Sequence, residues 1–337
     1  MMRIASIVSI LLVLNTIVWA HTQTKILTLM GVRFEITAIA STQQETQRGI
    51  DVGIAEISRI EQFLSPHIAL SEVSIINKNA GVKPVHVSKE LCDLILRSKK
   101  VSELSGGLFD VSWASMDPIW RFDGSMKELP APEIIAHAIR LINYNDIIVN
   151  TDSNTVFLKH TGMKISFGAI GKGYAANKAR DAMKLAGIHS GIVIAGGDLI
   201  TWGSPEDTKL WTIGIADPRE PEKAVSWLDV GEMSVVTSGT YEKFTEINGI
   251  RYAHIINPKT GYPATGLISA TIICPDAELG DALATTCMLL GEQKALELIN
   301  KIKGVECILI TQDFRIIASN NIQLQPYTVQ STYRIIK

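Results

Sequence analysis

The sequence predicts an α+β fold, or an irregular α/β one, in one compact unit, and three observations carry that prediction. Helical and strand patterns are interleaved without a regular strand–helix–strand beat. No internal repeat or low-complexity linker divides the 337 residues, a length that one large domain or two smaller ones would fill. A hydrophobic content of 46% with a net charge of −2 supplies a globular core and excludes the basic excess of a nucleic-acid binder.

The first stretch stands apart. After Met1-Met2-Arg3 the chain is apolar from residue 4 to residue 19 but for Ser6, Ser9, Asn15 and Thr16, and Val18-Trp19-Ala20 places small residues where a signal peptidase reads. Residues 1–20 are therefore expected to be a secretory leader and residues 21–337 the exported domain, soluble and periplasmic. The alternative is an uncleaved anchor, for which the run is barely long enough. No cysteine stands just after the apolar run, which excludes a lipid anchor through cysteine. Cys92, Cys274, Cys287 and Cys307 lie in apolar neighbourhoods without CxxC spacing and are expected as buried free thiols.

Residues 24–40 alternate as two short strands broken at Met30-Gly31. Ile50, Ile54, Ile57, Ile60 and Leu64 recur at helical spacing over residues 43–64. A short helix follows Ser71 and ends at Gly81. Ser88 can cap the next, whose apolar face is Leu91, Leu94, Ile95, Val101 and Leu104. Pro130-Ala131-Pro132 opens a helix expected to reach about Tyr144, and residues 146–150 and 155–160 read as a hairpin around Asp152-Ser153-Asn154. A strand over 163–167 is expected to feed a glycine-rich turn and a helix over 174–186. Strands follow at 191–195, 211–216, 235–238, 251–256 and 267–274, helices at 278–290 and 293–302, and a closing hairpin at 307–311 and 315–318.

The glycine-rich turn runs from Ser166 to Tyr174. A strand, a glycine turn and a helix start together make an anion site, because free backbone N–H groups and the helix dipole face the ligand. Lys172 adds a mobile positive charge there. The turn is not a Walker A loop, since residue 166 is serine and Gly173 follows the lysine; its G-x-x-G-x-G order is not the dinucleotide fingerprint. Glycines at such a junction also serve tight packing. Asp281 and Thr285, four apart in a helical pattern, share a face and offer hard oxygens suited to Mg²⁺; a helix N-terminal charge and a polar face residue account for the same pair. His254 lies close to where the 251–256 strand runs into the rigid turn Asn257-Pro258-Lys259-Thr260-Gly261, a suitable mounting for a general base. Gly196-Gly197-Asp198 and Ser238-Gly239-Thr240-Tyr241-Glu242 read as loops turned toward a ligand. Gly107-Leu108-Phe109-Asp110, near Trp113 and Trp120, offers a carboxylate among rings.

Taken in order, Met30-Gly31, Ser71-Glu72 with Asn77, Gly107 to Asp110, Gly168 to Tyr174, Gly196 to Asp198, Ser238 to Glu242, His254 to Gly261 and Asp281 to Thr285 resemble the FAD:protein FMN transferase family, ApbE. The likeness spans about residues 30–302. It implies a single α+β domain with mixed, largely antiparallel sheets flanked by helices. It also implies Mg²⁺-dependent transfer of FMN from FAD, the substrate, to a Thr or Ser hydroxyl of an acceptor protein, releasing AMP. By the same likeness His254 would be the base, and Asp281, Thr285 and the carbonyl of Ala169 would hold Mg²⁺. Met30, His67, Leu108, Phe109, Asp110, Ser166, Lys172 and the backbone at Ile255 would line the FAD site. The acceptor would be an exported part of a respiratory electron-transfer complex. FAD hydrolysis to FMN and AMP, or FAD binding without catalysis, are the alternatives. The chain departs from the family's usual Asp at Ser166, Tyr at His67 and Asp at Asn257.

Overall fold

The computed structural model describes residues 20–205, 209–220 and 223–322, with the backbone of 334–336. Residues 1–19 of the expected leader lie outside these. The helices are α1 (Gln43–Leu64), α2 (Glu72–Lys78), α3 (Lys89–Leu104), α4 (Pro132–Ile139), α5 (Gly171–Leu185), α6 (Ala277–Leu290) and α7 (Glu292–Ile299). An eight-stranded antiparallel sheet has the order β1 (His21–Leu29), β2 (Val32–Ala40), β6 (Ser190–Ala195), β7 (Asp198–Trp202), β10 (Ser234–Gly239), β13 (Leu267–Cys274), β14 (Glu306–Thr311) and β15 (Ile316–Ala318). Three small sheets complete the set. One joins β3 (Val85–His86), β5 (Thr155–Leu158) and β4 (Ile147–Asn150); a second joins β16 (Arg334–Ile336), β8 (Trp211–Ala216) and β9 (Ala224–Val230); the hairpin β11 (Phe244–Ile247) and β12 (Ile250–Ala253) stands alone.

Strand alternation builds the layers. Phe34, Ile36, Val193, Val236, Ile272 and Leu309 face one side of the large sheet, where α1, α5, α6 and α7 cover them. Their neighbours Ile39, Ile192, Val235, Ile273 and Ile308 face the other side and meet Trp211, Ile213, Ile215 and Val230 of β8 and β9. Within α1, Ile50, Ile57 and Ile60 are fully buried, each contributing ~1.5–3 kcal/mol of transfer free energy. Thr42 and Glu45 close its N-terminus with a capping box. All four cysteines are buried and unpaired, as their apolar neighbourhoods predict.

Several elements differ from the sequence reading. The helix opened by Pro132 stops at Ile139, and Asn143 then caps a separate short 3₁₀ turn with its side chain. Residues 163–167, expected as a strand, join no ladder, and side chains supply much of their backbone bonding. Asn77 accepts from Ile165 N (2.8 Å) and donates to Ile165 O (3.0 Å), and Ser115 Oγ accepts from Lys164 N (3.0 Å). The expected strand over 251–256 ends at Ala253, and α5 starts at Gly171 rather than at residue 174. Leu104, expected on the apolar face of α3, is 46% exposed. β7, β9 and β11 were not anticipated; β7 begins immediately after Gly196-Gly197, so the pair read as a ligand loop is also the hairpin turn between β6 and β7.

The N-termini of α5 and α6 converge at the edge of this helical layer. A Cβ on Gly173 would stand 1.9 Å from the carbonyl oxygen of Ala277, the first residue of α6. Asn177 ties the same junction, accepting from Ala277 N (3.1 Å) and donating to Asp276 Oδ1 (2.7 Å). Gly173→Ala must push two helix backbones apart. It is expected to lower unfolding stability by about 3 kcal/mol or more in denaturant titration.

Candidate active site

The first turn of α5 lacks its own cap: Ile170, at the cap position, offers no side-chain oxygen. A carboxylate from another helix supplies it. Gly173 N donates to Asp281 Oδ2 at 3.1 Å, and Asp281, on α6, is only 1% exposed. The positive end of α5 and the buried carboxylate stabilise each other. Thr285, one turn further along α6, has its Oγ1 3.4 Å from Ser238 Oγ at the end of β10.

Lys172 fills the centre. Its Nζ lies 3.1 and 3.3 Å from the two Asp281 oxygens and 3.4 Å from Gly168 O. It also lies 3.1 Å from Asp198 Oδ2, an ion pair without hydrogen-bond alignment. Burial disfavours the ammonium, but the charges of Asp198, Asp281 and Glu242 outweigh it and hold the Lys172 pKa above its ordinary value. In this structure the Lys172 ammonium is thus held between two carboxylates. Burial, and then the charge of Asp281, push the Asp198 carboxyl well above the usual range; burial also raises Glu242.

His254 lies just beyond β12. Its backbone N–H donates to Lys243 O at 3.0 Å, and its Nδ1 is 3.1 Å from the same oxygen. A carbonyl only accepts, so the ring proton sits on Nδ1 and Nε2 carries the free lone pair. Phe122 meets the ring edge-on, with centroids 6.4 Å apart. Burial, together with the charges of Lys172 and Lys243, lowers the His254 pKa to about 4 against the pull of the Lys243 carbonyl. The following turn is braced: Gly261 N donates to Asn257 O (2.7 Å), and Trp120 Nε1 donates to Gly261 O (2.8 Å). Asn257 Oδ1 accepts from Lys259 N at 2.9 Å, so the amide side chain shapes the turn where the family usually has Asp.

The other residues expected at the flavin divide. Met30, at φ 51° in the β1–β2 turn, reaches the start of α5, its Cε close to Gly171. Leu108 is half-buried, but Phe109 is 2% exposed and packs in the main core. Asp110 spends its carboxylate on the chain itself, accepting from Ser112 N and Oγ (2.8 and 2.6 Å) and from Tyr144 N (2.7 Å). The side chains of Phe109 and Asp110 thus brace the loop, and Leu108 is the more exposed of the three. Ser166, 9% exposed, is fixed by its N–H to Val111 O (2.9 Å). The Ile255 carbonyl accepts from Ala264 N (2.7 Å), and the Ile255 side chain is core. His67 is exposed, with the Asp117 carboxyl near enough to sense its charge. Ala169 is partly buried against the main core, one residue past the Gly168 carbonyl that Lys172 contacts.

Asp198 and Glu242 are the acidic groups that sequence reasoning left unassigned. Each closes a loop that the sequence turned toward a ligand, and that is the signal that could have found them. Three carboxyl groups crowd one ammonium, which is why burial and mutual repulsion raise Asp198 and Glu242, and Asp198 Oδ2 is buried with no hydrogen-bond partner. Among the described residues no three His, Cys, Asp or Glu side chains enclose a metal by themselves. Hard oxygens from Asp281, Thr285 and the turn carbonyls nevertheless fit a divalent cation whose coordination water and substrate phosphates complete.

The ApbE family model matches residues 30–309. The chain belongs to the ApbE family. Among similar proteins, an FAD:protein FMN transferase of Klebsiella pneumoniae is 31% identical, with 83% of this chain and 87% of that protein covered. One of Treponema pallidum is 33% identical over 78% of this chain and 76% of its own length. The crystal structure of an ApbE protein from Thermotoga maritima superposes with a TM-score of 0.82 at 27% identity, covering 89% of this chain and 97% of that one. The flavinyl transferase ApbE of Pseudomonas stutzeri, at 23% identity and TM-score 0.79, shares the fold, covering 89% of this chain and 95% of that one. The α+β architecture with antiparallel sheets is thus that of the ApbE family.

The depressed His254 pKa has a definite pH consequence. Unfolded, the ring titrates near ~6.5, so between that value and the folded one the unfolded chain binds more protons. The contribution to stability is complete above the unfolded value and is lost as pH falls toward the folded one. An NMR titration of the His254 ring is expected to show a midpoint about 4; a midpoint near the ordinary histidine value would overturn the assignment of a half-buried, neutral ring.

Proposed function

We propose that this protein transfers FMN from FAD to a serine or threonine hydroxyl of an acceptor protein and releases AMP. The observation that carries the reading is the His254 ring: Nδ1 is committed to Lys243 O, and the uncharged ring keeps its Nε2 lone pair, near enough to Lys172 to sense its charge. As the acceptor oxygen bonds to the FMN phosphorus, its proton passes to Nε2 and the phosphorus–oxygen bond to AMP breaks. A positioned base contributes roughly 10²–10⁴-fold to such a step. Because the ring is uncharged well below neutral pH, it is ready to accept that proton without first losing one.

The cluster around Lys172 supplies the electrostatic half. Asp281, Thr285 and the Ala169 carbonyl would hold Mg²⁺, which would balance charge on the pyrophosphate. The amides of Gly171, Gly173 and Tyr174 are already taken by Phe167 O, Asp281 Oδ2 and Ile170 O, so it is the positive end of the α5 dipole, rather than those N–H groups, that would favour a phosphate oxygen there. Leu108, Met30 and the backbone near Ser166 are placed to border the flavin, and His67 offers an exposed ring at the family's usual tyrosine position.

Residues 1–20 support export, with the acceptor met outside the cytoplasm as an exported part of a respiratory electron-transfer complex. Protein recovered from the cell envelope is expected to begin at His21; an intact Met1 would overturn cleavage. For the reaction, the purified protein is incubated with FAD, Mg²⁺ and candidate acceptor, and FMN is followed by mass spectrometry of the denatured acceptor. Wild type is expected to leave FMN on the acceptor and AMP in solution; free FMN alone would replace transfer with hydrolysis. His254→Ala is expected to slow transfer by roughly 10²–10⁴-fold with FAD binding retained. Asp281→Ala is expected to abolish activity together with its response to Mg²⁺.

A further inference from the structure

Asp198 has no role in the mechanism just described, yet it occupies a costly position. It is 1% exposed at the start of β7, between β6 and β10. Its backbone is held on both sides, opposite Ala195 in one register and Val236 in the other. A carboxylate buried this deeply is tolerated only with a partner, and the charged group at its oxygen is Lys172 Nζ, 3.1 Å away. The same ammonium lies at 3.1 and 3.3 Å from both oxygens of Asp281 and at 3.4 Å from the Gly168 carbonyl. Lys172 thus occupies the carboxylate that a divalent cation would also need, beside the Gly168 carbonyl and one residue from the Ala169 carbonyl assigned to that cation. Two cations on one carboxylate repel each other, so a metal arriving at Asp281 favours a shift of Lys172 toward its other carboxylate.

We propose that Asp198 is a positioning residue that anchors the Lys172 ammonium, so that a divalent cation can take Asp281 while Lys172 stays in the site. The inference rests on the reading of Asp281 as a metal ligand. Lys172 has two carboxylates within reach and needs one to remain paired. Asp198, fixed inside the sheet, is the one that does not face the incoming cation alone. Without it, Asp281 is the one carboxylate in contact with Lys172, Glu242 acting from further off, and the ammonium competes directly with the metal. With it, a short displacement of a long side chain clears Asp281 and keeps the positive charge beside the phosphates.

The test is a double-mutant cycle on cation binding, with Mn²⁺ as the probe and free Mn²⁺ counted by electron paramagnetic resonance on the intact protein without FAD. Lys172→Met is expected to tighten Mn²⁺ binding. Asp198→Asn is expected to weaken it about tenfold in the otherwise native protein and less than about threefold in the Lys172→Met background, a difference typical of contacting residues. Equal weakening in both backgrounds overturns the proposal, because Asp198 would then act on the metal directly or through its charge alone. No Mn²⁺ binding by wild type would instead remove the metal-ligand reading on which it rests. If Asp198→Asn does not melt cooperatively, Asp198→Ser, which leaves room for a water, takes its place in the same cycle. The FMN-transfer rate, measured at saturating Mg²⁺, is expected to show the same non-additivity.

Discussion

The contact between Asp281 and the first turn of α5 is the constraint on which the site depends. It joins two helix N-termini at a distance that only glycine at position 173 permits. One carboxylate caps a helix that has no cap of its own and neutralises Lys172. The helix dipole, the ammonium and the carboxylate therefore meet within a few ångströms in a largely buried region. Interactions there are stronger than at the surface, and unpaired groups cost more. A site assembled this way is charged before any ligand arrives.

The large sheet makes that arrangement rigid. α5 and α6 both lie on the face covered by Val193, Val236 and Ile272, and Asp198 projects from the start of a strand held on both edges. His254 is mounted differently, just beyond a two-stranded hairpin, and its turn leans on Trp120 and α4. Base and charge cluster thus come from separate supports. Their separation suits a reaction in which one partner, the flavin nucleotide, is held by charge and the other, a protein hydroxyl, must come to the base.

Much of this was legible in the chain. The α1 periodicity predicted Gln43–Leu64 to the residue, and the Met30-Gly31 break became a tight turn with both residues at positive φ. The four-residue spacing of Asp281 and Thr285 did place both on α6 toward the same region. Legibility failed where side chains imitate a strand partner, as Asn77 does for Ile165, since no periodicity reports such a bond. It failed again at Asp110, whose carboxylate serves Ser112 and Tyr144, because a capping Asp and a ligand-binding Asp look alike in one dimension.

By itself the sequence determined the helix and strand faces, the apolar leader pattern, the family and the identity of the histidine on its rigid turn. These are local properties, written in spacing and residue type. Only the tertiary structure decided that Lys172 is caged, that Asp198 and Glu242 share its pocket, and that His254 holds its proton on Nδ1. The partners that decide these matters stand far apart in the chain: Lys172 and Asp281 are separated by 109 positions. Burial and charge at such a meeting point depend on how whole layers pack, and that packing has no local pattern from which to be read.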